Sequence, residues 1–438
     1  MVAKSSAAFA IDATGPTRTA GGSRRFLKVW AYGYVVIWLT EGALRKWIVP
    51  SASSGLYFAR DLVTVAGVLC LLGAALNRRE RLLMDAVLVI SAAFALVVFL
   101  QFLSGASPVV SVIALASYLG PLFAVALFWI FLRTPFGLEP LIRLIVWSLP
   151  VQAVLCVLQA TTPVYSRWNA VGDSQVSLIT SDGVARASGT FVAPIGLTAY
   201  VAVSGAALVI LAWQREPGRF RTVVGTISWV MVLATGGSRG AVLTAAVLMV
   251  FVATGVVLNG SIRSLGKFFA AAVCAGAAFV AIKLAFSSVL DAFGERFESA
   301  SQSEDTLARI IRAMFGYVEQ VRSMTLLGDG AATHSLAGKA AGSPYAWVEN
   351  ELDRLVVELG LLGFLIVVAR QLICLTLLVH IVAQTRLRKD VGVWAAFAAL
   401  LPMIFYGGVF APSTLSGSAV VSAVLLLHQV CAAKNLER

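Results

Sequence analysis

The sequence predicts an all-α, polytopic membrane protein, and three observations carry that expectation. Of the 438 residues, 59% are hydrophobic and only 13% are charged, whereas a soluble domain carries about twice that charged fraction. The mean hydropathy is +0.87. Apolar runs recur from end to end at about the 20-residue length that crosses roughly 30 Å of hydrocarbon as a helix.

Taken in order, residues 1–25 are rich in Ala, Ser, Gly and Thr and lack an apolar core. They read as a disordered cytoplasmic tail and not as a cleavable signal peptide. Spans are expected at 27–42, 57–76, 84–103, 111–132, 141–160, 190–213, 222–236, 240–259, 268–289, 355–383, 391–409 and 413–431. That makes about 12 crossings with both termini, including the tail 432–438, in the cytoplasm. The run 355–383 is long enough to tilt or to project beyond the lipid. The run 222–236 is short, and its far end TGGSRG is a place where helix can unwind inside protein.

The net charge of +12 sets topology. Arg24, Arg25 and Lys28, then Arg78, Arg79 and Arg81, then Arg215, Arg219 and Arg221 fall in short gaps between spans. Arg263 and Lys267, and Arg386, Arg388 and Lys389, continue the series. Every second gap is basic, the pattern of cytoplasmic loops. No basic-aromatic surface for nucleic acid is present. The five cysteines, Cys70, Cys156, Cys274, Cys374 and Cys431, have no paired spacing and read as small buried hydrophobes. No P-loop, His-rich metal pattern, G-x-S-x-G or Rossmann fingerprint occurs, so no metal and no cofactor is called for.

This threading leaves two extended segments outside, near 161–189 and 290–354. The second alone has the composition of a soluble protein. Within it Leu307, Ile310, Ile311, Met314, Phe315, Val318 and Val321 recur at helical spacing. Asp305 near the start suits a helix N-terminus. An amphipathic helix lying on the membrane or roofing the bundle is expected.

The candidate chemistry lies on that outer side, where charge at the membrane edge is expensive and tends to line a site. Arg239 sits in TGGSRGAVL, whose glycines let backbone approach a ligand. Its planar guanidinium can grip phosphate oxygens in two places. The alternative is an interfacial arginine reaching for headgroups. Arg186, in SDGVARASGTF, flanks the sixth span on the same side.

In YAWVENELDRLVVELG, a carboxylate shielded from bulk water at Glu349 would serve as a base for a sugar hydroxyl, with Asn350 beside it. Asp353 and Arg354 equally suit a capped, charge-paired helix start. Glu358 lies deeper, where a lone carboxylate is costly unless paired or solvated. Arg309 and Arg312 share one edge of the loop helix, either for substrate or as a solvated face. His334 is the one histidine expected outside; it can act as a base or be incidental. Glu41, Arg45, Arg60 and Asp61, near the first external turn, read as interfacial anchors unless they face a cavity.

Together TGGSRGAVLTA, the large external loop, LLGDGA and VENELDRLVVELGLLG resemble the O-antigen ligase and polymerase family. The resemblance covers roughly the second half of the chain, from about Arg186. It implies a membrane glycosyltransferase of the GT-C class that works without metal. Such enzymes move glycan from an undecaprenyl-pyrophosphate carrier to a second acceptor on the periplasmic face of the bacterial inner membrane.

On this resemblance Arg186 and Arg239 would hold the donor pyrophosphate, and Glu349-Asn350 stands where the family places His-Asn. That departure favours a polymerase of lipid-linked repeat units, for O-antigen or exopolysaccharide, over a ligase acting on lipid A core or protein. The implied partners are lipid-linked oligosaccharides, membrane lipids and other polysaccharide-assembly proteins. A transporter or flippase of a lipid-linked or polyanionic substrate is the alternative of another class.

Overall fold

The computed structural model describes residues 20–72, 76–134, 137–170, 185–213, 218–287, 306–405, 407–410 and 413–435, with 291 and 294. It is all-helical, with no strand among the described residues. The helices are α1 (Ala20–Ala43), α2 (Ser53–Leu56), α3 (Ala59–Leu72), α4 (Arg78–Leu103), α5 (Pro108–Phe131) and α6 (Glu139–Thr161). After them come α7 (Pro194–Trp213), α8 (Arg219–Thr235), α9 (Arg239–Asn259) and α10 (Ile262–Ala285). The external segment contributes α11 (Thr306–Phe315), α12 (Tyr317–Gln320) and α13 (Leu336–Ala340). The chain closes with α14 (Glu351–Ala383), α15 (Thr385–Lys389), α16 (Val391–Phe405) and α17 (Ser413–Asn435).

Every expected span falls on one of these helices. Eight of them, α4, α5, α6, α7, α9, α10, α14 and α17, are long and apolar enough to cross a membrane. The protein is therefore a multi-pass helical membrane protein. Of the expected tail, residues 1–19 lie outside the described residues, and Ala20–Arg25 are helical instead. Asp305, Arg215 and residues 171–184 also lie outside them.

Local signals account for the helix ends. Asn77 caps α4 by accepting from the backbone of Arg79 and Glu80, and Glu80 answers to the Asn77 N–H. This reciprocal pair meets two of the helix's orphan donors. Ser238 caps α9 through the Ala241 N–H, and Gly260 ends that helix in the left-handed region, the usual place for a glycine stop. The TGGSRG segment does not unwind at length: α8 ends at Thr235 and α9 begins at Arg239 after a tight turn through Gly237 at φ 61.

A helix apolar on all sides belongs in a core. α7 shows this, with nearly every side chain buried against α6, α8, α9, α16 and α17. Aromatic rings weld α1 to its neighbours: Trp30 and Tyr34 meet Phe128 of α5, and Trp38 meets Tyr200 of α7. By contrast α10 buries only Ser264, Ala278 and Ile282. Cys156 and Cys374 are buried as expected, but Cys70 and Cys431 are exposed on the bundle's outside.

The expectation of one long tilted span over 355–383 is corrected. At Gly360 the backbone leaves the helical region (φ 57, ψ −132). Arg370 Nη1 lies 2.6 Å from Glu351 Oε1, where a continuous helix would hold these residues about 28 Å apart. The chain reverses, and arms 351–359 and 361–383 run antiparallel. Gly363 rests on the carbonyl of Leu355 across this hairpin.

The contacts place many helix ends together. Arg60 of α3 reaches Ser416 of α17, and Trp38 of α1 reaches Thr414. Thr198 of α7 meets Ser238 before α9, and Glu351 receives the N–H groups of Gly408 and Phe410 beyond α16. These residues define one end of the bundle. At the other end Lys267 donates to Ala212, and Asn259 to Lys389, among the basic residues that the charge pattern separates from the candidate site.

Candidate functional site

The segment 185–191 is irregular backbone inside a bundle, which is tolerated only where protein satisfies its polar groups. Three helices do so. Gln159 Oε1 accepts from the N–H groups of Ser188 and Gly189, and its Nε2 donates to the Gly189 carbonyl. Gln152 Oε1 accepts from the Thr190 N–H, and the Thr190 hydroxyl donates to Leu39 of α1. Gly42 has no Cβ, so α1 lies directly against the Thr190 carbonyl.

Lys46 completes this cradle from a short π-helical turn, Leu44–Ile48. Its ammonium donates to Ser188 Oγ, Gly189 O and Phe191 O at 3.1, 2.7 and 2.7 Å. All three N–H groups therefore meet an oxygen. Burial still pushes this amine down to about 7, because the charged form loses its water. Arg186 projects from the start of this tethered segment and is exposed.

Arg239 is the first residue of α9 and is half-buried. Its cap Ser238 is 3.0 Å from Thr198, one turn into α7. Gly196, also in the first turn of α7, packs on Thr414 and Phe191. Arg239 and the Arg186 segment are thus mounted at the same end of the bundle, on opposite flanks of the α7 N-terminus.

Glu349 is also at this end, but it is not shielded. It is 67% exposed and lies 3.7 Å from Arg309 of α11, which is itself half exposed. Arg312, one helical turn on, is exposed. Asn350 caps α14 through the Leu352 N–H and donates to the Ala313 carbonyl and to Asp353. It therefore bolts the loop helix to the hairpin. α11 and α12 do pack over bundle helix: the Tyr317 hydroxyl donates to Gln371 Oε1, and Gln371 Nε2 donates to Met314 O.

The shielded carboxylate is Glu358, with no exposed surface. Its Oε2 accepts from the Tyr118 hydroxyl at 2.6 Å and the Ala332 N–H at 2.9 Å, while Oε1 accepts from the His334 N–H at 2.8 Å. Arg354 Nε stands 3.9 Å away. A buried charge held this way is compensated, and it folds residues 330–335 onto the hairpin. His334 is buried, with ring nitrogens at 2.8 Å from Ala346 O and 3.0 Å from Asp329 Oδ2. Its ring ties the loop to itself.

Sequence reasoning missed three buried guanidiniums that converge on residues 403–416. Arg354 Nη2 donates to Phe410 O, Arg370 Nη2 to Met403 O and Ile404 O, and Arg60 Nη2 to Ser416 Oγ. Each keeps one buried nitrogen without a partner: Arg354 Nε, Arg370 Nε and Arg60 Nη1. Glu351 neutralises Arg370. The signal available was the depth of Arg60 and Arg370 within apolar runs. Among the described residues no group of three His, Cys, Asp or Glu side chains is placed to hold a metal ion.

No family model, curated protein or solved structure matches this chain. The fold and site define its class as a multi-pass helical membrane protein with a buried, partly unsatisfied cluster of arginines under a structured loop.

Proposed function

We propose that the protein is a metal-independent membrane glycosyltransferase that polymerises undecaprenyl-pyrophosphate-linked oligosaccharide repeat units at the periplasmic face of the bacterial inner membrane. One observation supports this reading above the others. Two arginines on rigid mounts, Arg186 on the tethered segment and Arg239 at a capped helix N-terminus, share one end of the bundle with the loop that carries Glu349.

In the proposed reaction an acceptor sugar hydroxyl gives its proton to the Glu349 carboxylate, and its oxygen attacks the anomeric carbon of the donor. The bond from that carbon to the carrier pyrophosphate breaks, and its electron pair leaves with undecaprenyl pyrophosphate. Arg186 and Arg239 stabilise the charge that grows on the leaving group. Energy resides in the carrier linkage, so no nucleotide is consumed. Arg309 would release Glu349 as the acceptor arrives, and Arg312 would remain available to the glycan.

The test uses purified protein and lipid-linked repeat units. Arg239→Ala is expected to slow elongation by about 10²–10³-fold, and Glu349→Gln by about 10²-fold or more. Elongation at the wild-type rate in both variants would rule the assignments out.

A further inference from the structure

Between the hairpin, α5 and the loop lies a crevice of about 10 Å³, lined by Tyr57, Ser117, Tyr118, Ser335, Arg354 and Phe410 among others. That is the room taken by one water or one hydroxyl oxygen. Tyr57 and Ser117 are half-buried, while Arg354 is 5% exposed and its Nε has no partner. A buried guanidinium N–H left open is costly, so the crevice is built around an acceptor atom that the chain itself does not provide.

We infer that this crevice is the acceptor subsite, taking a hydroxyl-bearing edge of a neutral sugar; the assignment rests on the glycosyltransferase reading. Charge selects the ligand class. Glu358 also lines the crevice, and with Arg354 it makes a neutral pair. A phosphate entering here would meet a carboxylate head-on, whereas a hydroxyl both donates and accepts. The Tyr57, Ser117 and Ser335 hydroxyls can do the same in return. Phe410, stacked on Tyr118 with ring centres 5.1 Å apart, offers an apolar wall for the C–H face of a sugar ring.

Position supports the same assignment. The Arg45 guanidinium lies over the Tyr57 ring, 5.5 Å from its centre. The next residue, Lys46, holds the segment that carries Arg186. One π-helical turn therefore separates the proposed donor arginine from the crevice, and such turns concentrate at functional sites. On the loop side, Val348 donates to the His334 carbonyl, which brings the residue before Glu349 beside the strand that forms the crevice wall.

The experiment varies a lipid-linked acceptor at saturating donor, with the full chain in detergent or nanodiscs. Ser117→Leu fills the crevice and is expected to raise the acceptor KM at least tenfold, with the donor KM within twofold of wild type. Tyr57→Phe removes one hydroxyl and is expected to raise it about fivefold. It decides the matter if Ser117→Leu does not elute as a single folded species. If wild type elongates while Tyr57→Phe and folded Ser117→Leu keep the acceptor KM within twofold, the crevice assignment alone is overturned. A rise in the donor KM instead overturns it as well. If wild type transfers no glycan to any acceptor, the glycosyltransferase reading fails and the subsite with it.

Discussion

Gly360→Ala tests the chain reversal on which the site depends. A Cβ built at this position would fall 2.6 Å from Gly328 N and 2.7 Å from Leu326 O, and would also strike Thr325 O. All three are backbone atoms, so none can swing aside as a side-chain tip would. The conformation itself, at φ 57 and ψ −132, is one that a residue with a Cβ holds only at about 1–3 kcal/mol. Crowding a packed site adds about 1–3 kcal/mol. The expected loss is therefore about 2–6 kcal/mol, read as a lowered thermal midpoint of the purified protein.

Gly276→Ala is the matched control. It lies in α10 with nothing within 4 Å of its built Cβ, and it should be neutral or stabilising by about 0.5–1 kcal/mol. Cysteines at 351 and 370 supply a second readout: the reversed chain cross-links them, whereas a straight helix holds them about 28 Å apart. Gly360→Ala as stable as Gly276→Ala, with no 351–370 cross-link, would refute the hairpin.

Glu351→Gln leaves Arg370 buried beside a neutral amide and is expected to cost about 3–5 kcal/mol, with Glu351→Met/Arg370→Met recovering part of the loss; thermal midpoints of the three proteins check this. Lys46 predicts a pH dependence. A base whose folded value, about 7, lies below its unfolded value of about 10.4 binds fewer protons when folded than when unfolded across that window. Stability then rises with pH from about 7 towards 10, by up to about 1.4 kcal/mol per pH unit, and Lys46→Met should remove that slope in denaturation midpoints measured across the range.

Much of the architecture was legible because the relevant signals are local. The tenth expected span shows the limit. VELGLLG reads as continuous apolar helix, since a lone glycine is tolerated there. Only the approach of residues 325–328 to Gly360 forces the turn. Glu349 shows a second limit: being near a membrane edge does not determine burial, and its neighbour Arg309 comes from a helix 40 residues earlier. Arg186 and Arg239 were found because charged residues on the outer side are rare. Lys46 was passed over because a lysine beside a tryptophan at a helix end usually anchors at the interface.

By itself the sequence determined that the chain is a helical membrane protein, roughly where each helix lies and which ends carry the basic residues. Hydropathy and charge are sums over neighbouring residues, so they survive without any knowledge of folding. Tertiary structure alone decided which charges are buried and what they meet: Arg60 with Ser416, Gln101 with the Glu358 carbonyl, Tyr118 with the Glu358 carboxylate. These partners lie hundreds of residues apart. A buried polar group is stable only when a partner arrives, and which partner arrives is a property of packing.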